Sequence, residues 1–468
     1  MLITLAIIAA VVAVAAAATP TGRRLALYAA VAARRIVLPL VMRLDPRERG
    51  VTMARPIRMA FEDLGPAFVK FGQMIASTPT AFSQEAVLEF ANCLDEVRPM
   101  SVRAVWQILS SELGRQPEEI FDTIDSTPLA SASIAQVHAA RLEDGTEVVV
   151  KVQRPGIDTA VERDLGLLSK LCGVAMRLSE DMRRANLTAV VEDFRKTIRE
   201  EMDFNLEADN IEAFSEMLAR EGLTHMARAP RVFRELTTRR VLTMERFYGV
   251  RIDDQKGVRE RVADPYQLIR DTSEVFWTSV FMGGFFHGDI HAGNIMVLDD
   301  GTIGYIDFGI FGRFTPHDRV NLADWVAAMV SNNADQMARV LIAMGAFPRD
   351  VDFELFRRDV AEIFMPLRTI ALEDTDTIEN FFPRLRAMAS RHNARLPATF
   401  VLILKQLMYF GRYVMMHAPG FNENTDPKSQ QMFVKLMMKF NAWRLAEGGE
   451  SIAITPVGRD HAAAARAI

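Results

Sequence analysis

The second half of the chain holds three oxygen-bearing side chains at a spacing that suits chemistry on phosphate. Asp289 and Asn294 bracket a short irregular segment, and Asp307 opens the sequence Asp-Phe-Gly that follows. Carboxylate and amide oxygens bind Mg²⁺ together with phosphate oxygens, and a carboxylate also accepts the proton of an attacking hydroxyl. The pattern therefore predicts phosphoryl transfer, with Asn294 and Asp307 as metal ligands and Asp289 as the catalytic base.

A predicted hairpin joins the two motifs. Asp300-Gly301 is a tight-turn signal, and apolar runs at 295–298 and 303–306 flank it. The order loop, strand, turn, strand, Asp-Phe-Gly is the order in which protein kinases build a phosphoryl-transfer site. His287 and His291 within the loop are predicted to brace it by hydrogen bonds. No Cys or third His stands at ligand spacing, so we do not expect a zinc site.

A lysine stands inside an apolar strand upstream. Residues 128–142 and 146–153 are predicted strands around Asp144-Gly145, and Lys151 interrupts the apolar run of the second. Because an unpaired buried ammonium is costly, Lys151 either lies on an edge strand with its amine in water or has a functional counter-charge. In the functional alternative it neutralises the α and β phosphates and is oriented by a helix glutamate, for which Glu207 is the candidate.

Other charged residues leave two interpretations open. On the predicted helix 187–218, Glu201 and Glu207 point roughly 120° apart at a helical period, so they can serve different partners. Composition alone is equally consistent with a solvated acidic face. Spacing alone likewise places Lys70 and Gln73, on the predicted helix 59–78, on a solvated face.

Two further strands and a long helical region complete the pattern. Residues 231–235 and 241–247 are predicted strands. Met244 and Glu245 fall where a linker between two kinase lobes would contact adenine through its backbone. Beyond residue 314 the periodicity is helical, and its Met and Phe stripes are predicted core.

Composition limits the classes of function. The 468 residues suffice for two or three domains, and the formal net charge of -5 provides no basic field for nucleic acid. Cys93 and Cys172 form neither a disulfide framework nor a ligand set, so both are predicted to be buried in a reducing compartment.

The N-terminal segment is apolar and near the short limit for a bilayer span. Residues 2–18 include Thr4 as their single polar side chain, and Arg23, Arg24, Arg34 and Arg35 follow with no basic residue before them. By the positive-inside bias, the favoured prediction is a membrane anchor at 1–19 with the bulk of the protein in the cytoplasm. An interfacial helix and a cleaved signal peptide are the alternatives.

In combination these residues resemble the UbiB/ADCK family of atypical protein-kinase-like proteins, over about residues 59–413. The motifs that carry the resemblance are KxGQ (Lys70-Phe71-Gly72-Gln73), the Ala-rich loop (Ala130–Gln136), the strand lysine Lys151, ExD (Glu201-Met202-Asp203) with Glu207, HGDxHxxN (His287–Asn294) and Asp307-Phe308-Gly309.

The resemblance implies roles for these residues. The KxGQ helix is expected to cover the nucleotide pocket, with Lys70 paired to Glu201 and with Gln73 and Asp203 in the same regulatory device. Lys151 is expected to pair with Glu207. Alanine lacks the positive-φ freedom of glycine, so a stiffer loop than the usual glycine-rich one is expected over the phosphates. The backbone expected to cover the phosphates is that of Ala130, Ser131, Ala132, Ser133 and Ile134.

The implied fold is α+β and bilobal, a protein-kinase-like fold with a small antiparallel β-sheet N-lobe, a large helical C-lobe and an N-terminal helical KxGQ extension. The expected segments are a membrane anchor at 1–19, a basic juxtamembrane segment at 20–58, the extension at 59–125, the N-lobe at 126–250, the C-lobe at 251–440 and a disordered tail at 441–468.

The implied function is that of an atypical kinase or ATPase that uses ATP (or ADP) and Mg²⁺. It would support biosynthesis or transport of ubiquinone, another prenyl-quinone or an isoprenoid lipid at the membrane. Expected partners are the nucleotide, a membrane lipid or prenyl-quinone intermediate, and other quinone-biosynthesis proteins, but no nucleic acid. The alternatives are a protein kinase acting in trans and a non-catalytic, nucleotide-gated lipid chaperone or scaffold. The absent glycine-rich loop, the absent Ala-Pro-Glu motif and the short segment between Ile310 and Thr315 argue against phosphorylation of proteins.

Overall fold

The structure, a computed structural model, describes residues 26–31, 33–37, 54–76, 84–90, 92–93, 99–178, 187–366, 375–392, 394 and 398–447. The chain divides into two compact units, of which the first comprises residues up to Leu206 together with Phe233–Met244. The second comprises Glu207–Val232 and the chain from Glu245 onward. The predicted anchor at 1–19 and the tail beyond 447 lie outside the described residues. None of the described helices is long and apolar enough to cross a bilayer.

The first unit contains one sheet and several α-helices. The strands are β1 (Phe121–Ile124), β2 (Ala130–Ser131), β3 (Ala135–Leu142), β4 (Glu147–Gln153) and β6 (Val241–Glu245). The α-helices are α1 (Ala54–Leu64), α2 (Pro66–Ala76), α3 (Gln84–Phe90), α4 (Val102–Leu113), α5 (Ile157–Leu178) and α6 (Leu187–Glu201).

The sheet has the strand order β1-β3-β4-β6, and β2 pairs with β3. Val148, Val150 and Val152 of β4 are fully buried on one face of the sheet, where they pack against apolar residues of α4.

The KxGQ helix α2 belongs to a second apolar cluster in this unit. Phe68 and Phe71 of α2 pack with buried residues of α5 and α6. Phe71 meets Phe194 edge-on at 5.1 Å between ring centroids. Ile134 of the Ala-rich loop is buried in the same cluster, so the KxGQ helix and this loop share one core.

The predicted helix 187–218 is wrong as a single element, because it breaks at residues 202–203. Helix α6 ends at Glu201, and α7 (Phe204–Glu221) starts a new helix. The Met202 carbonyl accepts the Nε2 group of Gln153 at 2.5 Å, and the Asp203 carboxylate accepts the backbone N–H of Asn205 at 3.1 Å. At these residues the two bonds replace the backbone hydrogen bonds that would continue one helix. Glu201 and Glu207 therefore lie on different helices rather than on two faces of one.

The predicted strand at 231–235 is confirmed only in its first half, where Val232 forms a β-bridge and the Phe233 N–H donates to the Thr243 carbonyl of β6 at 2.9 Å. Its second half does not pair. The chain there forms a 3-10 turn, Arg234–Leu236, which closes through the Leu236 N–H on the Phe233 carbonyl at 3.0 Å. Two threonine hydroxyls donate to neighbouring backbone carbonyls: Thr237 donates to the Phe233 carbonyl at 2.9 Å, and Thr243 donates to the Leu236 carbonyl at 2.8 Å. Local side-chain bonds of this kind compete with strand pairing.

The second unit is mostly helical, and a large aromatic core fills it. Phe281, Phe356, Phe364 and Phe440 are fully buried there, and Trp325 meets Phe364 edge-on at 5.4 Å. Strands β5 (Ala227–Arg228), β7 (Gly249–Arg251), β9 (Ile295–Leu298) and β10 (Ile303–Tyr305) form one small sheet, and β8 (Phe285–His287) pairs with β11 (Phe311–Arg313). The helices after α7 are α8 (Gln255–Arg261), α9 (Pro265–Thr278), α10 (Pro316–Val330), α11 (Ala334–Ala343), α12 (Phe353–Phe364), α13 (Thr375–Arg391), α14 (Ala398–His417) and α15 (Pro427–Ala446).

The helical prediction beyond residue 314 is confirmed, and the Met and Phe stripes there are core. Helix α15 continues to Ala446, past the predicted start of the tail at 441. Asp426 caps this helix through a bond from the Ser429 N–H and also binds the guanidinium of Arg270 on α9, with Nε and Oδ2 3.0 Å apart.

The glycine of the KxGQ motif has a packing reason. A Cβ at Gly72 would lie 2.8 Å from the buried Phe90 ring and 3.1 Å from the Cys93 sulfur. We expect Gly72→Ala to lower the free energy of unfolding by about 1–3 kcal/mol, the usual result of overpacking a core. Gly166→Ala on α5 is the matched control, because its Cβ would meet nothing within 4 Å. That change should stabilise by up to about 1 kcal/mol through helix propensity. Urea unfolding measures the change in the free energy of unfolding for each variant. Changes of the same sign in the two variants would refute the packing argument.

The Asp426–Arg270 pair predicts a pH dependence of stability. The hydrogen bond from Arg270 lowers the pKa of Asp426 from 3.8 to about 2. A depressed carboxyl pKa stabilises the fold fully above the unfolded value and loses that effect as pH falls toward the folded one. Asp426→Asn, which keeps the helix cap, should lower the free energy of unfolding by about 2 kcal/mol at pH 6. This difference should shrink as pH falls from 4 toward 2 in urea titrations.

The control for this titration is Asp335→Asn. Asp335 pairs with Arg339 one turn along α11 at 2.8 Å, but the two side chains are 48% and 66% exposed. A surface pair contributes little, so this variant should follow the wild type at every pH. If the difference in the free energy of unfolding between wild type and Asp426→Asn stayed constant across the same pH range, the pKa of Asp426 would not be depressed.

Candidate functional site

A two-stranded pairing brings the two chemical motifs of the second unit together. His287 at the end of β8 is opposite Phe311 at the start of β11, and the Gly288 N–H donates to the Ile310 carbonyl at 2.9 Å. The HGD loop (His287–Asn294) therefore leaves this ladder where the Asp-Phe-Gly segment enters it. Gly312 permits the close approach, because a Cβ there would lie 2.2 Å from the Phe286 ring.

The predicted hairpin between the motifs is confirmed. Strands β9 and β10 pair antiparallel with Ile303 opposite Val297. Gly301 adopts a positive φ of 84°, and the Asp300 side chain accepts the Thr302 N–H at 3.0 Å. The hairpin ends return to the loop, because the Ile306 N–H donates to the Asn294 carbonyl at 3.1 Å.

The two predicted metal ligands present oxygen atoms. The Asn294 side-chain NH₂ donates to the Asp289 carbonyl at 2.9 Å, so its amide oxygen is the atom left to bind a cation. The Asp307 carboxylate accepts the Gly309 N–H at 2.9 Å, which turns the chain at the Asp-Phe-Gly motif. No cluster of three or more His, Cys, Asp or Glu side chains suited to a metal occurs among the described residues. Mg²⁺ does not need one, since it commonly takes one or two protein oxygens plus phosphate and water.

Both histidines of the HGD loop make the bracing contacts that the sequence predicted. The Asp289 N–H donates to Nδ1 of His287 at 3.2 Å, and the Gly293 N–H donates to Nδ1 of His291 at 2.9 Å. Burial lowers the pKa of His287, and the nearby carboxylates of Asp289 and Asp307 only partly oppose it. His287 is therefore neutral, with its proton on Nε2.

Helix α14 holds the HGD loop from behind. The Gln406 amide accepts the Ile290 N–H at 2.9 Å and donates to the Gly288 carbonyl at 2.7 Å. The Tyr413 hydroxyl donates to the Ile290 carbonyl at 2.6 Å. These bonds satisfy buried backbone groups that the irregular loop leaves without ladder partners.

The Asp289 carboxylate has two basic neighbours. Lys405 of α14 places its ammonium 3.0 Å from Oδ1, and Nε2 of His291 lies 3.6 Å from Oδ2. Burial acts to lower the pKa of Lys405, but the charge of Asp289 and its hydrogen bond with the ammonium, together with the Tyr409 phenol group, outweigh burial and raise the pKa. Lys405 is thus charged at any physiological pH.

The sequence left open whether Lys151 lies on an edge strand, and the sheet of the first unit excludes that position. Strand β4 lies between β3 and β6, so Lys151 is on an interior strand and not on an edge. Its ammonium lies 5.2 Å from the centre of the Phe204 ring. Glu207, on the next turn of α7, is 4% exposed and belongs to the second unit. The Lys151–Glu207 pair joins residues of the two units and stays a prediction.

The Ala-rich loop is bound by an arginine that follows Lys151 on the same segment. The Arg154 guanidinium donates to the Ala132 carbonyl and to the Ser131 hydroxyl, each at 2.9 Å. The Arg154 N–H donates to the Ile134 carbonyl at 2.8 Å. The predicted strand 128–142 is interrupted here, because β2 ends at Ser131 and β3 starts at Ala135. The resulting turn is the segment that was predicted to cover phosphates.

The predicted ion pair between Lys70 and Glu201 is present. The two side chains are 18% and 21% exposed, so neither lies on a fully solvated face. Asp203 accepts both the N–H and the side-chain amide of Asn205 at 3.1 Å. Gln73 is half-buried on the same helix as Lys70. The regulatory role of these four residues remains a prediction.

The predicted linker falls at the division between the units. The chain passes from the first unit to the second between Met244 and Glu245. The Glu245 N–H donates to the Arg231 carbonyl at 2.8 Å, and its carboxylate accepts the guanidinium of Arg228 at 2.8 Å. Contact of Met244 and Glu245 with adenine stays a prediction.

Four residues of this arrangement escaped the sequence analysis: Lys405, Gln406, Tyr413 and Arg154. The available signal was the Lys405-Gln406 dipeptide, two polar residues inside the apolar stretch Phe400–Phe410. Arg154 gave no signal, because an arginine after a strand is ordinarily a surface residue.

A sheet unit with an interior-strand lysine and a helical unit with HGDxHxxN and Asp-Phe-Gly motifs define a protein-kinase-like fold. The ABC1 atypical kinase-like domain family matches residues 92–341. The chain belongs to this family.

Several relatives support that membership. An uncharacterised chloroplastic aarF domain-containing protein kinase of Arabidopsis thaliana is 38% identical over 408 residues, covering 82% of this chain and 76% of the relative. The probable protein kinase UbiB of Azotobacter vinelandii is 34% identical over 356 residues, covering 75% of this chain and 66% of the relative. A solved structure of the Mycobacterium tuberculosis protein Rv3197 in complex with erythromycin is similar at a TM-score of 0.53 and 25% identity, covering 74% of this chain and 87% of that one.

The support of the HGD loop by α14 can be tested by Gln406→Leu. This change leaves the Ile290 N–H and the Gly288 carbonyl without a partner inside the core, so we expect a loss of about 3 kcal/mol in the free energy of unfolding. Tyr413→Phe removes one hydrogen bond and should lose about 1 kcal/mol. Urea denaturation compares them, and a smaller loss for Gln406→Leu than for Tyr413→Phe would contradict the assigned support.

Proposed function

We propose that the protein is a Mg²⁺- and ATP-dependent atypical kinase or ATPase of the UbiB type. It acts at a membrane and supports biosynthesis or transport of ubiquinone, another prenyl-quinone or an isoprenoid lipid. The observation that carries the proposal is the β8–β11 ladder, which places the HGD loop beside the Asp-Phe-Gly segment. The membership of the chain in the ABC1 atypical kinase-like family and its UbiB-named relatives support the same class.

Asn294 and Asp307 would hold the Mg²⁺. Both offer oxygen donors, and the hydrogen bond from Asn294 to the Asp289 carbonyl fixes which of its side-chain atoms faces a cation. A bound Mg²⁺ supplies neutralisation of phosphate charge. The preference of this hard cation for carboxylate and amide oxygens agrees with the donor set.

Asp289 is the proposed base. Its Oδ1 lies 3.0 Å from the Lys405 ammonium, whereas Nε2 of His291 lies 3.6 Å from Oδ2, beyond hydrogen-bond distance. Oδ2 is therefore the atom proposed to accept the proton of a hydroxyl or of water. The loop backbone on both sides is held by buried hydrogen bonds, which fixes where the carboxylate points. A base that does not reorganise during the reaction is the usual requirement for efficient proton transfer.

Lys151 is the proposed partner of the α and β phosphates, oriented by Glu207. Its place on an interior strand, on the face opposite the fully buried valines of β4, supports this role, because the alternative of an edge strand does not apply. The backbone of Ala130–Ile134 is the proposed phosphate cover, stiffened by the three hydrogen bonds from Arg154. Lys70 and Glu201 are proposed to regulate access to the nucleotide.

The acceptor is proposed to be water or a small molecule rather than a protein. Strand β11 ends at Arg313, and α10 begins at Pro316 with a capping box formed by Thr315 and Asp318. This leaves two residues where an ordinary protein kinase has its activation loop. Residues 1–19, which lie outside the described residues, are the proposed membrane anchor.

The test is a phosphate-release assay with ATP and Mg²⁺, with and without vesicles of phosphatidylethanolamine and phosphatidylglycerol. We expect turnover that rises with vesicles and that falls at least about 100-fold in Asp307→Asn, because a metal ligand contributes several kcal/mol to the barrier. Asp318→Asn makes the same chemical change in a helix cap nearby and should keep turnover within a few-fold.

Two results would change the assignment. Equal turnover by Asp307→Asn and wild type would remove Asp307 as the metal ligand. Tight binding of a fluorescent ATP analogue with no phosphate release, by a wild-type protein that still restores quinone synthesis in cells lacking it, would favour the lipid chaperone instead.

A further inference from the structure

The side chain of Lys405 is largely but not fully buried, in a mostly apolar stretch of helix α14. The side chain is 16% exposed, and the helix around it contains Phe400, Ile403 and Leu404 in the core of the second unit. An ammonium in such surroundings is costly without a counter-charge. The Asp289 carboxylate supplies such a counter-charge, with Oδ1 3.0 Å from the ammonium.

The contacts of α14 with the HGD loop divide between backbone and side chain. Gln406, the next residue, binds the backbone of Gly288 and Ile290, and Tyr413 binds the Ile290 carbonyl. These bonds suffice to fix the backbone on both sides of Asp289. Lys405 is the contact of this helix that acts on the carboxylate itself, and the Tyr409 ring, 5.5 Å from the ammonium, limits where Lys405 can move.

We propose that Lys405 is a positioning residue for the base Asp289. It holds Oδ1 so that Oδ2 faces the acceptor hydroxyl, and it places a fixed positive charge beside the site of phosphoryl transfer. The inference rests on the proposed function and goes beyond it by assigning this role to a helix that follows the HGD loop by more than a hundred residues. A purely structural ion pair, which would affect folding but not the reaction, is the competing explanation.

The assignment predicts a separation of kcat from nucleotide binding. Lys405→Met keeps the length of the stem but removes the charge, so kcat should fall about 10- to 100-fold, which is less than the roughly 100- to 10,000-fold contribution of the positioned base itself. The affinity for a fluorescent ATP analogue, measured by titration without turnover, should change less than about two-fold, because the lysine acts through Asp289. Lys405→Arg restores the charge and should recover at least half of the logarithmic loss in kcat.

A double-mutant cycle tests whether Lys405 acts through Asp289. Once Asp289→Asn has removed the base, Lys405→Met should cause little additional loss, since residues that act as one unit have non-additive effects. Lys439→Met is the matched control: Lys439 also pairs with a carboxylate in this unit, Glu221 at 3.5 Å, but it is 60% exposed and lies on α15. This variant should leave kcat unchanged.

Each outcome decides between the hypotheses. A wild-type protein without turnover overturns the proposed function, and this inference with it. Turnover by wild type with unchanged kcat in Lys405→Met, whether or not the variant unfolds more easily, shows a structural pair and overturns the inference alone. Full additivity in the double-mutant cycle, or a loss of nucleotide affinity equal to the loss in kcat, shows that Lys405 does not act by positioning Asp289.

Discussion

The second unit depends on one constraint, which is that an irregular loop in a protein core must find hydrogen-bond partners for its backbone. The HGD loop cannot pair as a strand and remain open for chemistry. Helix α14 resolves this conflict by inserting one amide side chain and one phenol hydroxyl, from Gln406 and Tyr413, where strand neighbours would otherwise stand. These hydrogen bonds hold the loop backbone in place although it has no regular secondary structure. The side chains of the loop can therefore keep fixed directions.

In the first unit, a side chain from the sheet likewise binds a backbone group, and the helical segment is interrupted there. Gln153, which is fully buried at the end of β4, donates its side-chain N–H to the Met202 carbonyl, and α6 ends there, next to Glu201. The interruption places Glu201 at the end of one helix and Glu207 in the first turn of the next. Two acidic side chains close in sequence thus obtain separate surroundings, and Lys70 meets the first of them. The ExD motif is, in this protein, a helix boundary that is set by the sheet.

The sequence predicted features whose cause is local. The β9–β10 hairpin follows from Asp300-Gly301 between apolar runs, and the helices beyond Pro316 follow from their periodicity. Features that depend on distant partners were missed or mistaken. Continuous helical periodicity hid the break at Met202, because its cause lies 49 residues earlier in Gln153. Lys405 and Gln406 were hidden in an apolar helix for the same reason, since what they bind lies 116 residues before them. The predicted membrane anchor at 1–19 lies outside the described residues and stays a prediction.

The long separation between the HGD loop and α14 affects how the protein is made. Gln406 lies 116 residues after the Ile290 whose N–H it accepts, and Tyr413 lies 123 residues after the same position. On the ribosome, the kinase motifs emerge well before the helix that supports them, and at ordinary elongation rates the delay is on the order of ten seconds. During that interval the Ile290 N–H and carbonyl lack the partners that α14 supplies, so a nascent or C-terminally truncated chain that carries every recognisable motif lacks this support of the loop. The backbone support of the HGD loop is thus completed only after α14 has emerged.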